Sequence, residues 1–176
     1  MIYTEEDMKF WEDLYVSGDV TWDLGGTTPI FKEISKNIIP GKICIIGCGK
    51  GHDAVMFAKK NFEVTAIDFA PSAISCLDKI AADAKVNIDA INSNIFNLSN
   101  DYYNQFNYVI EQTCFCAINP NMRNNYEQLV SNLLVKGGDY QLDQVVGREY
   151  AEEVRVLDFV DGFSSSQIIQ KLKQDI

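Results

Sequence analysis

Two stretches of sequence decide the fold of this chain, KICIIGCGKGHD at residues 42–53 and EVTAIDFAPSAI at residues 63–74. Each opens with an apolar run of the length of a strand and leads into a helical pattern. Within the first stretch, Gly47, Gly49 and Gly51 alternate through the turn. Glycine permits a positive φ and a close approach of the backbone to a ligand, so this turn is a candidate binding loop.

Strand and helix patterns alternate on both sides of these stretches. This alternation predicts a parallel, doubly wound sheet, so we expect an α/β, Rossmann-like fold in a single domain over residues 1–176. A length of 176 residues, 47% of them hydrophobic, suits one domain with a sizeable core. The predicted strands are 42–46, 63–67, 87–91, 107–112, 140–145 and 154–159, and the predicted helices are 5–17, a short one from Pro29, 51–60, 71–84, 121–134, 147–153 and 165–174.

The composition favours a small ligand over a polyanion. The formal net charge is -10 and the sequence pI is about 4.5. Such a chain repels phosphate backbones and anionic lipids, so we expect a small-molecule substrate and no nucleic-acid or membrane partner. The N-terminal residues lack the order of a signal peptide, and no apolar run reaches membrane-spanning length, which favours a cytoplasmic location.

The cysteines indicate reduced thiols, because five is an odd number in a chain without a secretion signal. Two close pairs occur, Cys44 with Cys48 and Cys114 with Cys116. Both pairs lie in or beside predicted strands, and the single histidine, His52, adds little to them. We therefore expect no metal site.

Asp68 ends the second strand, 21 residues after Gly47. In a doubly wound fold, a carboxylate at this position reaches the crevice and accepts hydrogen bonds from both ribose hydroxyls of a cofactor. NAD and S-adenosylmethionine both fit this pattern. A structural role is the alternative, with Asp68 as the N-cap of the helix at Pro71 or as a solvated strand end.

The third strand leads into NSNIFNL at residues 92–98. Many methyltransferases place an acid here to hold the adenine amino group. Asn94 occupies this position and can also accept a hydrogen bond, and Ile95 can pack against the ring. An ordinary asparagine turn is the alternative interpretation.

Together these residues resemble the thiopurine methyltransferase superfamily, and most closely its branch of thiol and halide methyltransferases. The resemblance covers about residues 8–138 and rests on several long motifs in the expected order. The motifs are FWEDLYVSGDVTWDLGGTTPIF at 10–31, IIGCGKGHDAVMFA at 45–58, VTAIDFAPSAI at 64–74, FNYVIEQTCFCAINPNMRNNY at 106–126 and LLVKGG at 133–138.

The resemblance implies S-adenosylmethionine as the cofactor and an aromatic trio over it. The trio falls on Trp11, Tyr15 and Trp22, with the family's middle tryptophan replaced by tyrosine. A sulfonium is a cation without hydrogen-bond donors, so aromatic faces stabilise it, at roughly 0.5 to 2 kcal/mol per ring. Alternatively, Trp11 and Tyr15 are core residues of an amphipathic helix.

The remaining cofactor contacts follow from the same resemblance. It implies that Gly47 contacts the methionine portion and Asp68 the ribose, while Asn94 with Ile95 binds the adenine. Glu111, at the end of the fourth strand, corresponds to an acid near the methionine amino group. We interpret His52 and Asp53, which belong to the GCGKGHD signature, as organising the turn and the start of the helix.

No catalytic residue is expected. A polarizable thiolate or halide needs little help from a general base, so positioning the nucleophile against the methyl group carries most of the catalysis. The candidate walls of an acceptor pocket are Trp22, the loop at residues 24–28 and residues 115–119.

The C-terminal segment departs from this pattern. Residues 134–172, LVKGGDYQLDQVVGREYAEEVRVLDFVDGFSSSQIIQKL, resemble the end of the nucleotidyltransferase domain of bifunctional ADP-heptose synthases. In that family a serine-threonine signature similar to residues 164–166 faces nucleotide phosphates. We infer a chimera joined at residues 134–138, in which residues 1–138 are methyltransferase-like and residues 139–176 form a tail that completes the sheet.

The sequence therefore predicts a methyltransferase that transfers a methyl group from S-adenosylmethionine to a small soft nucleophile such as a thiol or a halide. One alternative is a protein that binds or degrades S-adenosylmethionine without productive methyl transfer. Another is a nucleotidyltransferase remnant.

Overall fold

The computed structural model describes residues 7–134, and their centre is a parallel sheet of four strands. The strands are β1 (Lys42–Ile46), β2 (Glu63–Asp68), β3 (Asp89–Asn92) and β4 (Tyr108–Glu111), in the order β3-β2-β1-β4. Since the strand order reverses between β1 and β4, a crevice opens at their carboxyl ends, where doubly wound folds bind ligands. The predicted α/β, Rossmann-like fold is confirmed.

Six α-helices occur in the described part of the chain. Two of them come directly after β1 and β2 in the sequence. Their bounds are α1 (Met8–Ser17), α2 (Pro29–Ile34), α3 (His52–Lys59), α4 (Pro71–Ala84), α5 (Cys114–Ala117) and α6 (Arg123–Leu133), with short 3-10 helices at Ile95–Asn97, Asn100–Tyr102 and Pro120–Met122.

β1 is the buried centre of the molecule, because it pairs with β2 on one side and β4 on the other. Its side chains alternate between the two faces of the sheet. Ile43 and Ile45 belong to an apolar cluster that includes side chains of α3 and α4. Cys44 and Ile46 belong to a second cluster, which includes side chains of α6. A strand buried on both faces is apolar along its buried length, as residues 43–46 of β1 show.

Several elements differ from the sequence-based predictions, among them α1, which begins at Met8, and β4, which spans Tyr108–Glu111. The third strand begins at Asp89, where its pairing with Thr65 of β2 starts, and not at residue 87. Residues 114–117, for which the sequence predicted no helix or strand, form α5. The sixth helix begins at Arg123, after a 3-10 turn that starts at Pro120. The strands and helices predicted after residue 134 lie outside the described residues.

The sequence predicts neither a membrane-spanning segment nor a metal site, and the structure describes residues 7–134 in both respects. No helix within residues 7–134 is both long and apolar enough to cross a membrane. In the same part of the chain, no group of three or more histidine, cysteine or acidic side chains has the arrangement of a metal site.

Gly51, in the turn after β1, lies directly against the Leu77 side chain of α4. Its φ is +85°, and a Cβ placed there would lie 2.3 Å from Cδ1 and 2.8 Å from Cβ of Leu77. We therefore expect Gly51→Ala to lower the free energy of unfolding by about 1 to 3 kcal/mol, through backbone strain and overpacking. Gly26→Ala is the matched control, because nothing lies within 4 Å of its Cβ position. Equal denaturant midpoints for the two variants would contradict this packing.

Candidate functional site

The glycine turn lies at the carboxyl end of β1, in the crevice between β1 and β4. Gly47 and Gly49 have φ values of +62° and +55°, which residues with a side chain rarely adopt. A hydrogen bond attaches the turn to β2, because the Cys48 N–H donates to the Ile67 carbonyl at 3.0 Å. A Cβ at Gly47 would lie 2.8 Å from Cβ of Cys114, so α5 packs directly on the turn.

Asp68 joins the glycine turn to the end of β2. It is only 7% exposed. Its Oδ2 accepts a hydrogen bond from the Gly49 N–H at 2.8 Å, and its Oδ1 accepts one from the Ala70 N–H at 3.0 Å. Burial raises the pKa of the Asp68 carboxyl, against the opposing effect of these hydrogen bonds. Asp68 is thus neither a solvated strand end nor the N-cap of α4, which is Ala70.

The structure brings the three predicted aromatic residues together. The rings of Trp11 and Trp22 meet edge to face with centroids 5.5 Å apart, and those of Tyr15 and Trp22 with centroids 6.1 Å apart. Burial raises the pKa of Tyr15, and the nearby carboxylate of Asp68 raises it further. The Tyr15 hydroxyl lies 3.2 Å from the position of a Cβ on Gly49, so this cluster lies against the glycine turn.

A carboxylate of α1 attaches that helix to α4. Glu12 Oε2 accepts a hydrogen bond from the Ser72 N–H at 2.9 Å, and Oε1 accepts one from the Ser72 hydroxyl at 2.6 Å. Ala70, the N-cap residue of α4, supplies no side-chain cap. Glu12 therefore satisfies an amide in the first turn of α4 and sets the position of the helix that carries Trp11 and Tyr15.

The loop between α1 and α2 is held to the glycine turn by a charged pair. Lys50 Nζ lies 2.6 Å from Asp23 Oδ2, and His52 Nε2 lies 3.9 Å from Asp23 Oδ1. The same Oδ1 accepts a hydrogen bond from the Gly25 N–H at 2.9 Å. Burial opposes ionisation of Asp23, but the contacts with Lys50 and the Gly25 N–H prevail and lower its pKa.

A second attachment lies at the end of the same loop. Asp53 accepts hydrogen bonds from the Thr28 N–H at 2.8 Å and from the Thr28 hydroxyl at 2.7 Å. Gln112 Oε1, just after β4, lies 2.5 Å from the same hydroxyl oxygen. Burial raises the pKa of Asp53, and the bonds to Thr28 lower it in part. Asp53 thus joins α3 to the start of α2.

The other predicted site residues lie after neighbouring strands, where Asn94 and Glu111 each support a local turn. Asn94 Oδ1 accepts a hydrogen bond from the Phe96 N–H at 2.9 Å, as an asparagine turn would. Ile95 is partly buried against the apolar cluster of β1 and α6. Glu111 Oε2 accepts hydrogen bonds from the Cys114 and Phe115 N–H groups, both at 2.9 Å. Their assignment to the cofactor stays a prediction.

Sequence reasoning did not find the contacts of Asp23, Thr28 and Gln112. A signal was present, because Lys50 is a charged residue in a glycine turn and an acid follows Trp22 directly. The partner of each lies far along the chain, 84 residues away for Thr28 with Gln112, so spacing alone did not reveal them.

Glu12 gives a test of how α1 is attached. We expect Glu12→Ala to lower the free energy of unfolding by about 1 kcal/mol, because an amide and a hydroxyl in the first turn of α4 lose their partner. Asp13→Ala in the same helix is the control, since its pair with Lys9 is exposed and contributes about 0.5 kcal/mol or less. Urea unfolding curves compare the two, and a smaller effect for Glu12 than for Asp13 would contradict the attachment.

Comparisons with known proteins agree with this geometry. A protein of Arabidopsis thaliana named "Probable thiol methyltransferase 2" is 27% identical over 146 residues, which are 78% of this chain and 62% of that protein. The chain therefore spans less than two thirds of this relative. A solved structure from Methanococcus maripaludis, named as a candidate S-adenosyl-L-methionine-dependent methyltransferase, has a TM-score of 0.54 at 20% identity and covers 78% of this chain and 62% of that one.

A second likeness is confined to a short segment. The bifunctional protein HldE of Sulfurimonas denitrificans is 54% identical over 43 residues, 24% of this chain and 9% of that protein. This supports the predicted segment similar to ADP-heptose synthases.

The family model of thiopurine S-methyltransferase matches residues 6–152, which extends past residue 138, where the sequence resemblance was expected to end. The match includes the aromatic cluster, the glycine turn and all four described strands. The chain belongs to the thiopurine S-methyltransferase family.

Proposed function

We propose that the protein binds S-adenosylmethionine in the crevice beside the glycine turn and transfers its methyl group to a small soft nucleophile, such as a thiol or a halide. The observation that carries the proposal is the position of Asp68. This buried carboxylate accepts a hydrogen bond from the glycine turn and lies near Tyr15 of the aromatic cluster. Membership of the family and the name of the Arabidopsis relative support the same activity.

The residues present fit such a cofactor. The Asp68 carboxylate has about four lone-pair sites, and the N–H groups of Gly49, Ala70 and Phe69 use at most three of them, so ribose hydroxyls can use the remainder. Among residues 7–134, both hydrogen bonds to Glu111 go to Oε2, which leaves Oε1 for the amino group of the methionine portion. Asn94 and Ile95, placed next to β3, would bind the adenine.

The aromatic cluster suits the charge of the cofactor. S-adenosylmethionine supplies, when bound, an electrophilic methyl group on a positively charged sulfur. Trp11, Tyr15 and Trp22 offer ring faces, which stabilise a cation, and apolar surface, which excludes water from it. The net charge of -10 favours the approach of a cationic ligand.

The acceptor would lie between the loop at residues 24–28 and α5. Thr28, at the end of this loop, contacts Gln112, two residues before α5, and α5 packs on the glycine turn. Positioning a polarizable nucleophile is the main requirement of an in-line displacement, so this site needs no histidine or lysine as a base. The thiols of Cys48 and Cys114 do not supply a thiolate, because burial raises the pKa of both and that of Cys114 reaches about 12.

Asp68→Asn tests the assignment of the ribose site. Asparagine keeps the shape of the side chain but removes the charge, so we expect the dissociation constant of S-adenosylhomocysteine to rise by about 10- to 100-fold. Asp78→Asn, on the exposed face of α4, is the matched control. Calorimetric titration measures both variants, with circular dichroism to establish that they fold. Equal affinities in the wild type and Asp68→Asn would remove Asp68 from the site.

Product analysis tests the reaction. We expect incubation of the whole chain with S-adenosylmethionine and a panel of thiols, iodide and thiocyanate to give S-adenosylhomocysteine together with a methylated acceptor. Formation of methylthioadenosine instead, or cofactor binding without any methylated product, would favour a protein that binds or degrades S-adenosylmethionine.

A further inference from the structure

The polar residues of the glycine turn contact the loop at residues 19–28, which carries Trp22. Lys50 and His52 both contact Asp23, the residue that follows Trp22. Asp53 holds Thr28 at the end of the same loop. One short segment of the chain therefore forms the candidate cofactor turn with its backbone and holds the aromatic loop with its side chains.

Apart from the ring contacts of Trp22, apolar packing contributes little to the position of this loop. Nothing lies within 4 Å of a Cβ placed on Gly25 or Gly26, and Leu24 is 37% exposed. The polar contacts of Asp23 and Thr28 therefore attach the loop to the glycine turn and to α3 on either side of these residues.

The pair of Lys50 with Asp23 differs from the surface pairs of this protein. The Lys50 and Asp23 side chains are 32% and 15% exposed, whereas those of Lys9 and Asp13 are 53% and 54% exposed. A charge pair that is shielded from water is stronger than an exposed one, because solvent screens it less. The Gly25 N–H adds a further hydrogen bond to Asp23. Asp23 is thereby held on two sides.

We propose that Asp23 is a positioning residue, whose pair with Lys50 fixes Trp22 against Tyr15 over the glycine turn and slows the departure of the bound cofactor. The part of this proposal that concerns the cofactor rests on the proposed function, whereas the part that concerns the position of Trp22 does not. Trp22 contacts the rings of Trp11 and Tyr15 edge to face, an arrangement that depends on where the neighbouring Asp23 is held. Breaking the pair frees the middle of the loop, while Asp53 still holds its end at Thr28.

The first experiment needs no ligand. The sequence has two tryptophans, so Trp11→Phe leaves Trp22 as the single tryptophan of the whole chain, and its emission is read under excitation that tyrosine does not absorb. In this background we expect Asp23→Asn to raise the acrylamide quenching constant of Trp22 by about twofold or more, since the ring becomes accessible. Lys50→Gln breaks the same pair from the other side and gives the same rise.

Charge reversal separates positioning from a general loss of structure. The double variant with Asp23→Lys and Lys50→Asp restores an ion pair of opposite direction, so we expect it to recover at least part of the protection. Asp13→Asn, which breaks an exposed pair of α1, is the control and leaves quenching unchanged. Equal quenching in the wild-type pair and in Asp23→Asn would overturn the proposal.

The second experiment measures how fast the cofactor product leaves. In stopped-flow displacement of S-adenosylhomocysteine, we expect Asp23→Asn to raise the dissociation rate by about tenfold, the effect of losing one charged hydrogen bond, with a much smaller change in association. The charge-reversed pair lowers the rate again. An unchanged dissociation rate would overturn the proposal. If the wild type does not bind S-adenosylhomocysteine, the proposed function fails, and the quenching experiment still decides whether Asp23 positions Trp22.

Discussion

The hydrogen bond from the Gly49 N–H to the Asp68 carboxylate, 2.8 Å long, is the contact on which the site depends. It joins the turn after β1 to the end of β2, and glycine is favoured at this position because φ is +55° and the Tyr15 hydroxyl lies 3.2 Å from where a Cβ would be. The other oxygen of Asp68 holds the Ala70 N–H, where α4 begins. α4 in turn binds Glu12 of α1, and α1 carries Tyr15 back to Gly49. These contacts run from Gly49 through Asp68, α4 and α1 and return to Gly49. Through them, the carboxylate at the end of β2 helps to position the aromatic residues.

Much of this could be predicted from the sequence, because the central elements are specified locally. β1 and α4 have the predicted bounds, Lys42–Ile46 and Pro71–Ala84, since an apolar run and an N-terminal proline with an amphipathic pattern indicate them directly. The glycine turn and Asp68 were recognised from spacing, and the three aromatic residues from resemblance. In the structure, Asp68 is hydrogen-bonded to the glycine turn, and the three aromatic residues contact one another and lie against the same turn.

The parts that the sequence did not predict depend on contacts between distant residues. α5 begins where Glu111 binds the N–H groups after β4, and no periodicity is visible in four residues. The attachments of Asp23 and Thr28 arise only when the fold brings α3 under the loop at residues 19–28. The segment similar to ADP-heptose synthases lies beyond residue 134, so its predicted role in completing the sheet stays a prediction.

The most direct test of the account is a crystal structure of the whole chain grown with S-adenosylhomocysteine. We expect the ribose hydroxyls to lie within hydrogen-bond distance of the Asp68 carboxylate, with the glycine turn along the ligand and Trp22 above it. Ligand density at another surface of the sheet, or a ribose that contacts neither Asp68 nor the turn at residues 47–51, would show that the cofactor site has been assigned wrongly.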